Sequence, residues 1–216
     1  MSTITPSNYL SEHLSNGEIN FASDTFQVLL MMNGFTFAPI TQDTLADITE
    51  DSWAATTAYA ESDIVIPTTP NGHKYQIDTG DNGTTGATVP TFPTTSGGTV
   101  VDGTCTWTEI GADDQCPTAN GYTQNNKALA NVAVSGSTTT GITTITWDDP
   151  SWVASGGYLG SADGSAVLID GILLVDTTVS GSAIIAYYKF SSAGYTADTK
   201  GLQAADLSVE IGGTPA

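Results

Sequence analysis

A chain of 216 residues with 23 acidic side chains, four lysines and no arginine carries a net charge of −19. It has no basic face with which to displace counterions from nucleic acid or meet an anionic bilayer, so both are excluded as partners. Its length suits one large β domain or two small ones. No apolar run approaches the roughly 18 residues that span a bilayer. The segment Met1 to Tyr9 lacks the basic and apolar regions of a signal peptide, so synthesis is expected in the cytosol. A reducing compartment there favours free thiols at Cys105 and Cys116, with a disulfide formed after release as the alternative. Their spacing fits no zinc pattern.

In chain order, Ser7 to Leu14 reads as a short helix with Leu10 and Leu14 on one face, ended by the turn pair Asn16-Gly17. Thr25 to Met32 is apolar, short and bounded by Asp24 and Asn33-Gly34, which predicts a buried strand. Phe35-Thr36-Phe37 alternates and stops before Pro39. Residues 52–111 then read as a complete small β-module. A strand at Asp63 to Pro67 and a second at His73 to Ile77 flank Asn71-Gly72, a hairpin signal. A Gly/Thr/Asp loop (Asp78 to Gly86), the run Pro90-Thr91-Phe92-Pro93 and a last strand from Thr104 to Ile110 complete it.

Beyond the module, Lys127 to Ser135 and Ile142 to Trp147 alternate with period two. Asp148-Asp149-Pro150-Ser151-Trp152 is a turn or sheet edge. Ala166 to Val175 predicts two strands meeting in a hairpin at Asp170-Gly171. Ile184 to Phe190 and Leu207 to Ile211 are further strands. Many short strands with frequent turn signals predict an all-β fold, a β-sandwich-like host domain (1–51 and 112–216) interrupted by the small β-module at 52–111. Such an insertion suits a loop tip.

The module's order (Trp53, Tyr59, a Val-rich strand, Tyr75, a Gly-rich loop, Pro90-x-x-Pro93, Asp102-Gly103-Thr104, Trp107) resembles a unit that recurs in phage tail-fibre and virion proteins and is similar in layout to carbohydrate-binding modules. The flanks resemble a phage virion-protein family through five pieces. These are Phe26-Gln27-Val28-Leu29-Leu30, Asn120-Gly121-Tyr122-Thr123, Leu129-Ala130-Asn131-Val132, Trp147-Asp148-Asp149-Pro150-Ser151-Trp152 and Ala166-Val167-Leu168-Ile169. The chain departs from that pattern at Asn125-Asn126, where the family usually has glycine. The resemblance implies a virion structural protein. The favoured expectation is a head decoration or cement protein on the capsid exterior. It would bind the major capsid protein or other virion proteins as a homo-oligomer, with a trimer favoured. The alternative is a tail-fibre or baseplate-associated protein whose module binds host surface glycans; a free carbohydrate-binding module is a third.

Chemistry offers little to set beside this. His13 and His73 are isolated, and the pairs Asp113-Asp114 and Asp148-Asp149 point in different directions from a strand or turn, so no enzyme is expected. Asp78-Thr79-Gly80-Asp81-Asn82-Gly83 places oxygens at short spacing but lacks the distal glutamate of a calcium loop, and reads as a turn; no metal or cofactor is expected. Glycan binding needs exposed aromatic faces beside carboxylates or amides. Tyr59, Tyr75 and Phe92 with Asp78 and Asn82 are the residues expected to supply it for a cell-surface glycan, while Trp53 and Trp107 are expected to be core.

Overall fold

The computed structural model describes residues 3–136, 142–148, 150–160, 168–190, 195–196, 202–203 and 209–212. The fold is all-β, with several sheets. Before the predicted module come β1 (Thr3–Pro6), the helix α1 (Leu10–Asn16), β2 (Phe26–Met32) and a 3-10 turn at Leu45–Asp47. The central part holds β3 (Asp51–Ser52), β4 (Ala58–Tyr59), β5 (Ile64–Ile66), β6 (His73–Ile77), β7 (Gly83–Thr84), β8 (Thr99–Asp102) and β9 (Cys105–Ala112). There follow β10 (Ala133–Gly136), β11 (Ile142–Thr146), β12 (Ser151–Trp152), β13 (Leu168–Asp176), β14 (Ala183–Lys189), β15 (Tyr195–Thr196), β16 (Leu202–Gln203) and β17 (Val209–Gly212). No described helix is long and apolar enough to cross a membrane.

The main sheet is built on β13, with antiparallel β2 along one edge, β14 along the other and β1 outside β14. It is covered on both faces. Phe26, Val28, Leu30, Ile172, Leu174 and Ile185 point into one apolar cluster, while Leu29, Met31, Leu173, Val175 and Ile184 point into another. Two buried faces explain why β2 is apolar at every position but Gln27 rather than alternating. One cover comes from α1 and the segments around Tyr122 and Trp152. The other is Phe35, Phe37 and Ile48, with Phe35 set edge-on to Tyr187 at 5.1 Å. Phe35-Thr36-Phe37 is therefore packing without being a strand: both rings are buried and Thr36 is exposed.

Several expectations need correcting. Helix α1 begins later than predicted and runs through Asn16, with Gly17 closing it at φ 70°. Asp170-Gly171 is no hairpin turn, because β13 passes straight through it. Ile169 faces Met32 and Gly171 faces Met31, which leaves Asp170 as the extra residue of a β-bulge. Gly171 is required by a close approach: a Cβ there would lie 2.4 Å from the Tyr188 carbonyl oxygen. Ala166 and Val167 of that predicted pair lie outside the described residues, as do Leu207, Ser208 and Asp149. Lys127 to Ser135 is strand only from Ala133, since Asn131 adopts φ 53° and breaks the extended run. Its first part nevertheless lies along β2, where Val28 N–H donates to the Lys127 carbonyl at 2.9 Å.

Strands β3, β5, β6, β9 and β8, in that order, form a second five-stranded sheet, with β4 and β7 paired beside it. Every strand partner of these seven strands lies between Asp51 and Ala112. The sheet has its own cluster, made by Trp53, Val65, Tyr75, Ile77, Phe92, Cys105 and Trp107. Strands β5 and β6 are antiparallel as Asn71-Gly72 predicts, but they are joined by a six-residue loop, not a two-residue turn. Asn71 shapes that loop by accepting from His73 N–H at 3.1 Å and donating to the Tyr75 hydroxyl at 2.7 Å.

Candidate interaction site

The aromatic residues proposed for sugar stacking sit elsewhere than expected. Tyr75 is 0% exposed and Phe92 8%, and their ring centroids are 4.4 Å apart. The Tyr75 hydroxyl donates to the Pro93 carbonyl at 2.8 Å, fastening the Pro-x-x-Pro run over the sheet. Tyr59 is half-buried, set edge-on to Trp107 at 5.1 Å, and its hydroxyl accepts from Ala54 N–H at 3.0 Å. A unit of this size has little apolar material, and its aromatics are consumed as core. The expected exposure of Tyr75 and Phe92 is thus overturned. Trp53 and Trp107 are buried as expected.

The polar members are also engaged internally. Asp78 accepts from the Thr108 hydroxyl, and the Asn82 side-chain oxygen accepts from Glu61 N–H at 2.9 Å. Asp81 accepts from Thr106 N–H and Asp63 from Ala60 N–H, both at 2.7 Å. These side chains brace loops against neighbouring backbone, a familiar use of short carboxylates and amides. Among the described residues no three His, Cys, Asp or Glu side chains gather as metal ligands do. His13 lies between Glu18 at 2.5 Å and Asp43 at 2.8 Å, and His73 lies 2.9 Å from Glu109.

Sequence reasoning passed over two residues that organise the central unit. Asp102 is 5% exposed and accepts from both indoles, Trp53 at 2.7 Å and Trp107 at 3.3 Å, and from Gly86 N–H at 2.8 Å. Its place in Asp102-Gly103-Thr104 is the signal, legible in the chain only as part of the module's order. Glu109 is 4% exposed and links His73 to Gly97 N–H at 3.0 Å.

A concavity lies where this unit joins the rest of the chain. A cleft of about 780 Å³ has Leu45, Ile66 and Pro67 among its apolar walls and Glu50, Ser52 and Gln124 among its polar ones. Lys74 on β6 stands at the junction and reaches the chain entering the unit, at Glu50 (3.5 Å), and the chain leaving it, at Asp114 (3.1 Å). Just beyond, Asp113 is 5% exposed, and burial pushes its carboxyl up to about 6. Tyr122 fills a gap in the edge of the main sheet, accepting from Leu30 N–H at 3.0 Å and from the Gln115 amide at 3.1 Å. Cys105 and Cys116 are free, buried, and in different apolar clusters. The cleft offers hydroxyls, amides and carboxylates over an apolar wall, which suits holding a polypeptide or polymer by shape and hydrogen bonds. No family model, curated protein or solved structure matches this chain.

Proposed function

We propose that this chain is a non-enzymatic bacteriophage virion structural protein, a head decoration protein that binds the capsid exterior and stabilises the shell. One observation carries the reading. The unit between Asp51 and Ala112 has its own sheet and aromatic core, yet it leaves and rejoins the chain at two points held by a single lysine, Lys74. That is the construction of a display module set into a host domain, divided as 1–51 with 112–216 and 52–111. The host contributes a sheet buried on both faces, so its edges, loops and the junction cleft are the surfaces left for neighbouring virion proteins. The resemblance of both parts to phage virion proteins supplies the context. The acidic surface suits docking on a basic assembly, and a homo-oligomer, a trimer first, is the assembly proposed.

The alternative, a fibre-associated protein gripping host glycans, draws less support, because Tyr75 and Phe92 present no free ring face. Quantitative mass spectrometry of purified particles separated into heads and tails tests the proposal. Abundance near that of the major capsid protein in the head fraction is expected. A few copies confined to the tail fraction would favour the fibre reading, and absence from both would overturn the virion reading.

A further inference from the structure

The central sheet ends in an edge that carries no lysine, no proline and no bulge. Strand β8 is outermost, pairing only with β9. In that pairing Asp102 faces Cys105 across the two-residue loop Gly103-Thr104, so Asp102 and Val100 direct their backbone groups inward to β9. Thr99 and Val101 direct theirs outward, and no described residue bonds to those outward groups. Both are exposed, Val101 by 72%. Natural edges are protected by lysine, proline, a bulge or an inward charge. Here there is no charged side chain between Asp81 and Asp102, and the strand is Thr-Val-Val-Asp, whose one charge, Asp102, is buried and taken up by Trp53, Trp107 and Gly86. In a chain of net charge −19, an uncharged edge is where two copies can approach with least repulsion.

We propose that β8 pairs antiparallel with β8 of a second copy of this chain, joining two five-stranded sheets into one. A two-fold axis beside Val100 sets Thr99 of each copy opposite Val101 of the other. All the outward N–H and C=O groups of these residues are then satisfied by four hydrogen bonds, and the strand is complementary to itself. The edge is preorganised, because β9 and the Trp107 cluster hold it extended before it meets its partner. So small a contact belongs to the weak class, with a Kd of about micromolar to millimolar. The inference concerns the isolated protein and stands independently of the virion reading.

The test is hydrogen exchange of the full chain across a concentration series, with sedimentation velocity on the same samples. A monomer–dimer equilibrium is expected. Exchange at Thr99 and Val101 should slow by about tenfold once concentration exceeds Kd by about an order of magnitude. Val101→Pro removes an outward N–H without touching the bonds to β9, and Val101→Lys restores an ordinary edge guard. Both variants should remain monomeric with the wild-type circular dichroism spectrum, and either one suffices if the other misfolds. A monomer at every concentration up to about millimolar, the upper end of that Kd range, overturns the proposal. So does a dimer that survives both substitutions, or protection that appears at another uncharged edge, such as β10 or β1, instead of β8.

Discussion

The Trp53 indole N–H donates to the Asp102 carboxylate at 2.7 Å, joining residues 49 positions apart near the two ends of the central β unit. The same oxygen receives the Trp107 indole at 3.3 Å, and the other oxygen receives Gly86 N–H. One buried carboxylate therefore answers three donors, two of them buried indoles and the third the half-buried Gly86 N–H. Asp102→Ala leaves both buried indoles without this acceptor, and each orphaned buried donor costs about 1–3 kcal/mol. Urea unfolding followed by tryptophan fluorescence should show a loss of about 3 kcal/mol or more. A loss under about 1 kcal/mol would mean the indoles find other acceptors.

Tyr122 plays a comparable part in the main sheet, because its hydroxyl replaces the strand that β2 lacks beside Leu30. Tyr122→Phe keeps the ring but leaves the buried Leu30 N–H and the Gln115 amide without that acceptor. The expected cost is about 1–3 kcal/mol, read as a fall in the urea midpoint at unchanged m-value.

Asp113 should make acid stabilising. Its Oδ2 finds no hydrogen-bond partner among the described residues. Burial raises its pKa to about 6, with nearby Asp114 adding to the shift and Lys74 and local backbone N–H groups opposing it. The unfolded carboxyl ionises near 3.8, so between that pH and about 6 the unfolded state releases its proton while the folded state keeps it. This group's contribution is fully present below the unfolded value and is lost as pH rises, by about 3 kcal/mol in all. Asp113→Asn should remove that slope from stability measured across pH 4 to 7 and leave the protein more stable at neutral pH.

His13 behaves oppositely to a histidine merely buried. Burial lowers its pKa and is the largest single cause, but hydrogen bonds and charge from Asp43 and Glu18 together outweigh it, and the pKa is raised above 6.5. A raised folded pKa means stabilisation that is complete below 6.5 and lost as pH climbs through the folded value. His13→Gln should flatten the stability profile above pH 6.5, and an unaltered profile would show that the two carboxylates do not hold the ring in its charged form.

Both thiols should be silent in the native state. Burial, and secondarily the carboxylates of Asp102 and Asp81, raise the Cys105 pKa, while burial with Asp113 raises that of Cys116. A thiol reagent at pH 8 should label neither until denaturant is added, after which it should label both.

Much of this was legible in the residues themselves. A glycine-, threonine- and valine-rich chain with frequent turn signals yields an all-β fold, and the apolar run from Phe26 to Met32 announces a strand buried on both sides. Trp53 and Trp107 read as core because a small sheet has few other large apolar groups. These properties follow from local composition and periodicity, which hold wherever the segment packs. Tertiary structure decided what local signals left degenerate. Asp170-Gly171 has the composition of a hairpin turn, but β2 and β14 lie along either side of it, so the pair becomes a bulge and the glycine admits the Tyr188 carbonyl. Tyr75 and Phe92 looked available for stacking, yet Pro93 folds back over Tyr75 and closes both rings in. Asp102 has no role legible in the chain order, and gains one only where Trp53, Trp107 and Gly86 converge on it. The side a residue turns to solvent, and the partner it meets there, depend on which distant strand arrives alongside.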